Sequence, residues 1–143
     1  MADTALKTFN IKRVIATWGN VDFHGFAGDE AITIEYQEDD CTEVIGADGE
    51  VTRSINPREN VHITVNLAQS SSVNDQLSTL RTADRLTGAG VFPFTIRDGS
   101  GRTLLFAPTA AIMKPPTVGL GKTLKDRTWV FMTGPCTMHI GGN

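Results

Sequence analysis

The sequence has few cysteines, no long apolar run and no leader-like N-terminus. Its two cysteines, Cys41 and Cys136, lie far apart. Their number and spacing exclude a disulfide framework and a paired-cysteine zinc site, so we expect both thiols to be reduced. No apolar stretch approaches the roughly 18 residues that a membrane-spanning helix requires. Residues 1–7 lack a basic segment followed by an apolar one, which argues against a secretory signal and favours a cytoplasmic protein.

Positive charge is also scarce. The 143 residues contain 13 basic and 16 acidic side chains, a formal net charge of −3. This balance argues against a protein that grips nucleic acid through its phosphates, although it is compatible with a surface past which nucleic acid slides. The length predicts a single domain, residues 1–143, that buries about two-thirds of its unfolded surface.

Signatures of nucleotide and metal binding are incomplete. Residues 118–123 end like a phosphate-binding loop, but Pro116 stands where the first glycine of that motif belongs. Cys136 and His139 have a metal-like spacing, yet no further ligand lies at a recognisable distance from them in the sequence. A buried thiol and a strand histidine explain this pair more simply.

Calcium-binding and hydrolase motifs are missing as well. The acidic residues between Glu38 and Glu43 lack the alternating order of a calcium loop, so they indicate a solvated or interface-facing segment. The serines at 70–72 do not form the strained turn motif of a nucleophilic serine. We therefore predict no enzymatic activity, no metal and no cofactor.

The clearest local pattern is a strand, a helix and a second strand between residues 60 and 98. Residues 61–67 alternate apolar and polar side chains, which indicates a strand with one buried face. Serines 70–72 are N-cap candidates for a helix of roughly 12 to 14 residues that ends at the glycines near 88–90. Its predicted apolar face consists of Val73, Leu77, Leu80 and Leu86. We expect Val73, Leu77 and Leu80 to pack on the sheet as the core of the helix.

The remaining segments predict strands and turns. Pro108 should confine the apolar run 103–113 to a sheet edge or divide it into two short pieces. Residues 98–101 predict a turn between two strands, and residues 114–125 a loop. The other strand segments are 11–18, 21–26, 32–36, 91–96, 129–132 and 137–140. The fold class is therefore mainly β with one helix.

Residues 37–59 form a long, mainly polar excursion between two of these strands. Asp48-Gly49 marks a hairpin tip within it. Compact domains seldom carry such a segment without using it, so we expect it to rest on the surface of another molecule. The candidate contact residues are its charged side chains: Glu38, Asp39, Asp40, Glu43, Asp48, Glu50, Arg53 and Arg58.

This order of elements resembles the tail tube proteins of contractile-tailed bacteriophages, which are related to the tubes of type VI secretion and of tailocins. Four stretches carry the resemblance: residues 49–54, residues 63–67 with 70–80, residues 93–98 and residues 127–131. They are strand patterns and turn residues without a catalytic signature, and the likeness spans most of the chain.

The resemblance implies an antiparallel β-barrel or sandwich flanked by a helix, which joins its neighbours into a larger barrel. It implies hexameric rings, stacked into a hollow inner tube through which DNA passes without sequence-specific binding. The implied partners are further copies of the chain, a tail sheath protein, baseplate and tail terminator proteins, and a tape measure protein. The implied location is the virion, after assembly in the bacterial host cytoplasm.

Three alternatives stay open at this point. A small β-barrel or sandwich that binds a ligand would need a cavity ringed by apolar side chains, and a non-viral assembly protein would share the same strand pattern. The third alternative is an enzyme with an unrecognised site.

Overall fold

The computed structural model describes residues 6, 8–28, 30–99, 101 and 103–142. The described part contains ten strands, one α-helix and a 3₁₀ turn at Ile11–Arg13. The strands are β1 (Ile15–Trp18), β2 (Val21–Asp22), β3 (Ile32–Tyr36), β4 (Cys41–Ile45), β5 (Val51–Ile55), β6 (Val61–Leu67), β7 (Phe92–Arg97), β8 (Leu104–Lys114), β9 (Arg127–Thr133) and β10 (Thr137–His139). Helix α1 spans Val73–Thr87. Ser100 of the predicted β7–β8 turn and Arg102, which follows that turn, lie outside the described residues.

Eight strands form one antiparallel sheet in the order β2-β1-β7-β8-β9-β6-β3, with β10 paired to β8. Strands β4 and β5 form a separate two-stranded hairpin. The predicted class, mainly β with one helix, is confirmed. The terminal strands β2 and β3 do not pair with each other in the described part of the chain, and closure of the sheet into a barrel is not seen there.

The long strand β8 connects two halves of the sheet. Its first residues, 104–107, pair with β7 and β10, whereas residues 110–114 pair with β9. The prediction that Pro108 divides this run or confines it to an edge is wrong. The register shifts opposite Phe92–Phe94, and this bulge accommodates a residue that cannot donate a ladder hydrogen bond.

The core lies between the two halves of the sheet and is rich in aromatic contacts. The ring of Phe131 lies 5.1 Å from both Trp18 and Phe94, in edge-to-face geometry. Trp18 also donates its indole N–H to the carbonyl oxygen of Ala110 at 2.9 Å, so its polar atom is satisfied although the side chain is buried. Apolar residues at odd positions of β6 complete this core, with none of their surface exposed.

Helix α1 closes one side of the core. It has 15 residues and ends at Gly88, which adopts a left-handed conformation (φ +70°) and donates its N–H to the Asp84 carbonyl. Val73 and Leu77 are fully buried, and Leu80 is partly buried against the same cluster. The inclusion of Leu86 in the apolar face is wrong: it is 82% exposed. It lies nine residues after Leu77, two and a half helical turns, and therefore on the opposite side.

We expect Leu77→Ala to lower the free energy of unfolding by about 2 to 5 kcal/mol, because it removes a fully buried side chain and leaves a cavity. Gln76→Ala, on the exposed neighbouring position, is the matched control and should cost less than about 0.5 kcal/mol. Urea denaturation of the two variants measures the difference. Equal midpoints for Leu77→Ala and the unmodified chain would exclude the helix from the core.

Candidate assembly surfaces

The β4–β5 hairpin stands away from the rest of the chain. All ten residues of its two strands are exposed. Its tip is closed by the Gly46 N–H, which donates to the Glu50 carbonyl at 2.7 Å, and by Gly49 with a φ of +87°. The predicted turn at Asp48-Gly49 is confirmed. A two-stranded ribbon without a covering surface has marginal stability in water, so this geometry favours a partner.

The two faces of the hairpin differ in chemistry. Cross-strand register places Cys41 opposite Ile55, Glu43 opposite Arg53, and Ile45 opposite Val51. These six residues share one face, which we call the apolar hairpin face, because side chains alternate between the faces of a strand. Its Ile45, Val51 and Ile55 are 64%, 59% and 68% exposed. The other face consists of Thr42, Val44, Thr52 and Ser54.

The base of the hairpin is held by polar contacts. Glu38 accepts hydrogen bonds from Asn56 Nδ2 at 2.7 Å and from Arg58 at 2.8 Å. These bonds favour the charged form, so they lower the pKa of the Glu38 carboxyl, Asn56 having the larger effect. The stability that these bonds give to the base of the hairpin is fully present above the ordinary carboxyl pKa of about 4.3. It is lost as the pH falls through the lowered pKa of Glu38.

The other predicted contact residues take different places around this hairpin. Asp39 and Asp40 contribute backbone carbonyls to Asn56. Asp48 accepts the Glu50 N–H at 3.1 Å within the tip. Glu43 and Arg53 lie on the apolar hairpin face. The charged set is therefore spread over the base, one face and the tip, and does not form one cluster.

Strand β3 has an open edge. In the described residues it pairs only with β6. The Gln37 N–H donates to Asn60 and the Ala31 carbonyl accepts from Asn66, so odd positions direct their backbone groups at β6. Because backbone groups alternate between the two sides of a strand, the N–H and C=O groups of Ile32, Ile34 and Tyr36 point to the open side. Such a row of backbone donors and acceptors is a template for another strand.

Strand β8 provides a second open edge. Its pairing with β7 ends at Ala110, whereas its pairing with β9 continues to Lys114. Residues 111–114 thus have a neighbouring strand on one side only, within the described part of the chain. Strands β8, β9, β6 and β3 form a four-stranded antiparallel unit with an open edge at each end.

The solvent face of this four-stranded unit is polar and nearly uncharged. Its described members include Thr33, Glu35, His62, Thr64, Asn66, Ala111, Lys114, Thr128, Val130 and Met132. The Glu30 carboxylate accepts a hydrogen bond from Thr33 of this face at 3.0 Å, so two acids, Glu30 and Glu35, accompany one base, Lys114. Thr128 donates to Asn66 at 2.7 Å, so part of this polar surface is held in place.

The structure shows two side-chain contacts that the sequence did not indicate. The Asn74 carboxamide accepts the indole N–H of Trp129 at 2.9 Å and donates to the Ala68 carbonyl, which fixes the start of α1 against β9. The Cys136 thiol lies 3.0 Å from the Glu59 carbonyl, and burial raises its pKa. Both cysteines are free, and the raised pKa makes Cys136 less reactive.

The chain is similar to proteins of known origin. Residues 13–141 match the family described as "Bacteriophage PhiTE tail tube protein". A relative, "Structural protein ORF10" of Pseudomonas phage KPP10, is 37% identical over 121 residues, which cover 83% of this chain and 70% of the relative.

Solved structures with the same fold come from contractile injection systems. The sheath/tube terminator of an extracellular contractile injection system (PVC) aligns with a TM-score of 0.65, 14% identity, and coverage of 95% of this chain and 99% of that chain. The tube terminating cap of the anti-feeding prophage aligns with a TM-score of 0.63, 14% identity, and coverage of 98% and 97%. At this identity the likeness concerns the fold alone.

Proposed function

Because this chain belongs to the bacteriophage PhiTE tail tube protein family, we propose that it forms closed hexameric rings that stack into the hollow inner tube of a contractile tail. Its family makes it a structural protein of the phage virion and not an enzyme. The observation that carries the proposal is the four-stranded unit with an open edge at each end.

The strand directions at the two open edges are complementary. In the order β8-β9-β6-β3, neighbouring strands are antiparallel, so β8 and β3 of one copy run in opposite directions. When copies are related by rotation about an axis along the strands, β8 of one copy meets β3 of the next as another antiparallel pair. A head-to-tail contact of this kind closes into a ring and removes both edges.

The polar face of the four-stranded unit then lines the lumen. Its opposite face is covered by the aromatic core and the rest of the chain, and this bulk fits outside a ring more easily than inside. Six copies of four strands give 24 strands. Barrels of 16 to 18 strands already enclose an aqueous channel, so such a ring is wide enough to be open.

The charge of this face suits a conduit for DNA. A duplex carries about one negative charge per 1.7 Å of its axis and would adhere to a basic lining. Two acids, Glu30 and Glu35, accompany one base, Lys114, at the polar face, so no net attraction holds the duplex. We propose that DNA and a tape measure protein occupy the lumen without sequence-specific binding.

Other contacts complete the proposed tail. The exposed hairpin, including Glu43 and Arg53, would contact another copy in the tube. A sheath protein would surround the tube, and baseplate and terminator proteins would cover its ends. The solved structures with this fold include a sheath/tube terminator and a protein of a sheath–tube complex, which supports the sheath and the terminator as partners.

The edge contact is tested by Ile34→Pro. Proline removes a backbone N–H that points away from β6, so it should prevent ring formation while leaving the β3–β6 pairing in place. Ile34→Ala is the matched control, since it loses the side chain but keeps the N–H. Electron micrographs of both variants should show rings or tubes for alanine alone. Tubes of normal abundance with proline would contradict the edge contact.

The lumen assignment is tested by charge. Thr64→Lys combined with Thr128→Lys adds two positive charges per copy to the polar face, and the corresponding double glutamine variant adds bulk without charge. In phage particles carrying each variant, DNA ejection should be slower with lysine than with glutamine, most clearly at low salt, where attraction is screened least. Equal ejection rates at low salt would contradict the assignment of this face to the lumen.

A further inference from the structure

The charged groups of the polar face lie at its two open edges. Lys114 is the last residue of β8, and Glu35 lies in β3. Glu30 precedes β3, and its carboxylate accepts a hydrogen bond from the Thr33 hydroxyl at 3.0 Å, which holds it at the same edge. All three charged side chains are exposed. The base therefore occupies one end of the four-stranded unit, and the acids occupy the other.

Within one copy the base and the acids are too far apart to pair. The register places four residues in one level row across the unit: Thr33, Thr64, Val130 and Lys114. Three strand spacings of about 4.8 Å separate the two ends of this row, which makes roughly 14 Å. Lys114 accordingly forms no ion pair among the described residues.

The proposed ring removes this separation. When the row continues at the same level from one copy to the next, Lys114 of one copy stands directly opposite Thr33 of its neighbour. The neighbour's Glu30 carboxylate is bound to that threonine. Its Glu35 lies two residues along on the same face, at a diagonal distance of about 7 to 8 Å that long side chains span. The lysine thus lies between two carboxylates.

This match tolerates a small change in level. Side chains alternate along a strand, so only shifts by two residues keep the polar faces of both copies on the same side. A shift by two in one direction places Lys114 opposite Glu35. In the other direction it places Lys114 opposite Ala31, the residue next to Glu30. Each of the three nearest registers therefore brings the lysine to an acid.

We propose that Lys114 of each copy pairs with Glu30 and Glu35 of the next copy across the seam, the junction of β8 with the neighbour's β3. The inference rests on the proposed ring, and it adds the contact that decides which edges meet. Backbone hydrogen bonds alone would also join two β3 edges, which brings acids of both copies together, or two β8 edges, which brings two lysines together. Opposite charges favour only the junction of β8 with β3, so they direct copies into a ring and against two-copy dimers.

A carbodiimide cross-linker tests the seam in tubes assembled from isotope-labelled and unlabelled copies. The reagent activates a carboxylate and takes up one water as a urea, while a lysine amine in contact forms an amide with the acid. Peptide mass spectrometry should find Lys114 linked to Glu30 or Glu35, with labelled and unlabelled peptides joined in one product. Lys114→Gln should remove this product. Lys122→Gln, which changes an exposed lysine of the loop after β8, is the matched control and should keep it.

The outcomes separate the seam contact from the ring itself. Isolated copies should give no product, because roughly 14 Å separates the groups within one chain. Products that join only peptides of one label indicate a link within a copy and overturn the proposal. Tubes in which Lys114 is linked to other acids or to none overturn the seam contact while the ring stands. Absence of rings and tubes from the unmodified chain overturns the proposed function.

A charge exchange gives an independent readout. Lys114→Glu and Glu35→Lys should each raise the protein concentration required for rings by up to roughly fivefold, the range of an exposed ion pair. The double variant reverses the pair and should return this concentration towards that of the unmodified chain, which loss of a structural role within one copy would not do. The differences should shrink at high salt. A double variant no better than the worse single variant contradicts the pairing.

Discussion

The open backbone edge of β3 is the constraint on which the rest of the account depends. Ile32, Ile34 and Tyr36 direct their N–H and C=O groups away from β6, to the side where no strand pairs among the described residues. Soluble proteins usually block such an edge with charge, proline or a covering segment, and a bare edge invites pairing with another chain. Here residues 111–114 of β8 provide a second edge at the other end of the same four-stranded unit. In the proposed ring, assembly satisfies both edges at once, so association completes the fold.

The core provides the rigidity that such an assembly needs. Aromatic rings of β1, β7 and β9 pack edge to face, and α1 buries Val73 and Leu77 against the same cluster. The hydrogen bond from Trp129 to Asn74 joins the helix to β9, which lies inside the four-stranded unit. The positions of the two open edges are therefore fixed by packing within one copy, before assembly. In contrast, both strands of the hairpin are exposed, and its base is held by contacts of Glu38 with Asn56 and Arg58.

The sequence predicted the elements with strong local signals and missed those decided by long-range pairing. Alternation in residues 61–67 and the turn at Asp48-Gly49 were sufficient for β6 and the hairpin tip. Pro108 was misleading because β8 continues through it at a register shift opposite Phe92–Phe94 of β7, and the order of residues does not show such a bulge. The hairpin appeared polar from its overall composition; only the cross-strand register places Ile45, Val51 and Ile55 on one face. That alternation at positions 41, 45, 51 and 55 was the signal that could have revealed the apolar face.

Hydrogen–deuterium exchange of the backbone amides tests the central claim most directly, since it compares the same chain as isolated copies and as assembled tubes. The account predicts that the amides of Ile32, Ile34 and Tyr36, and those of residues 111–114 on the open side, exchange rapidly in the isolated chain and become protected in tubes. Amides of β6, already paired on both sides, should change little in comparison. Tubes in which the β3 amides still exchange as rapidly as in the isolated chain would contradict a ring closed through these edges.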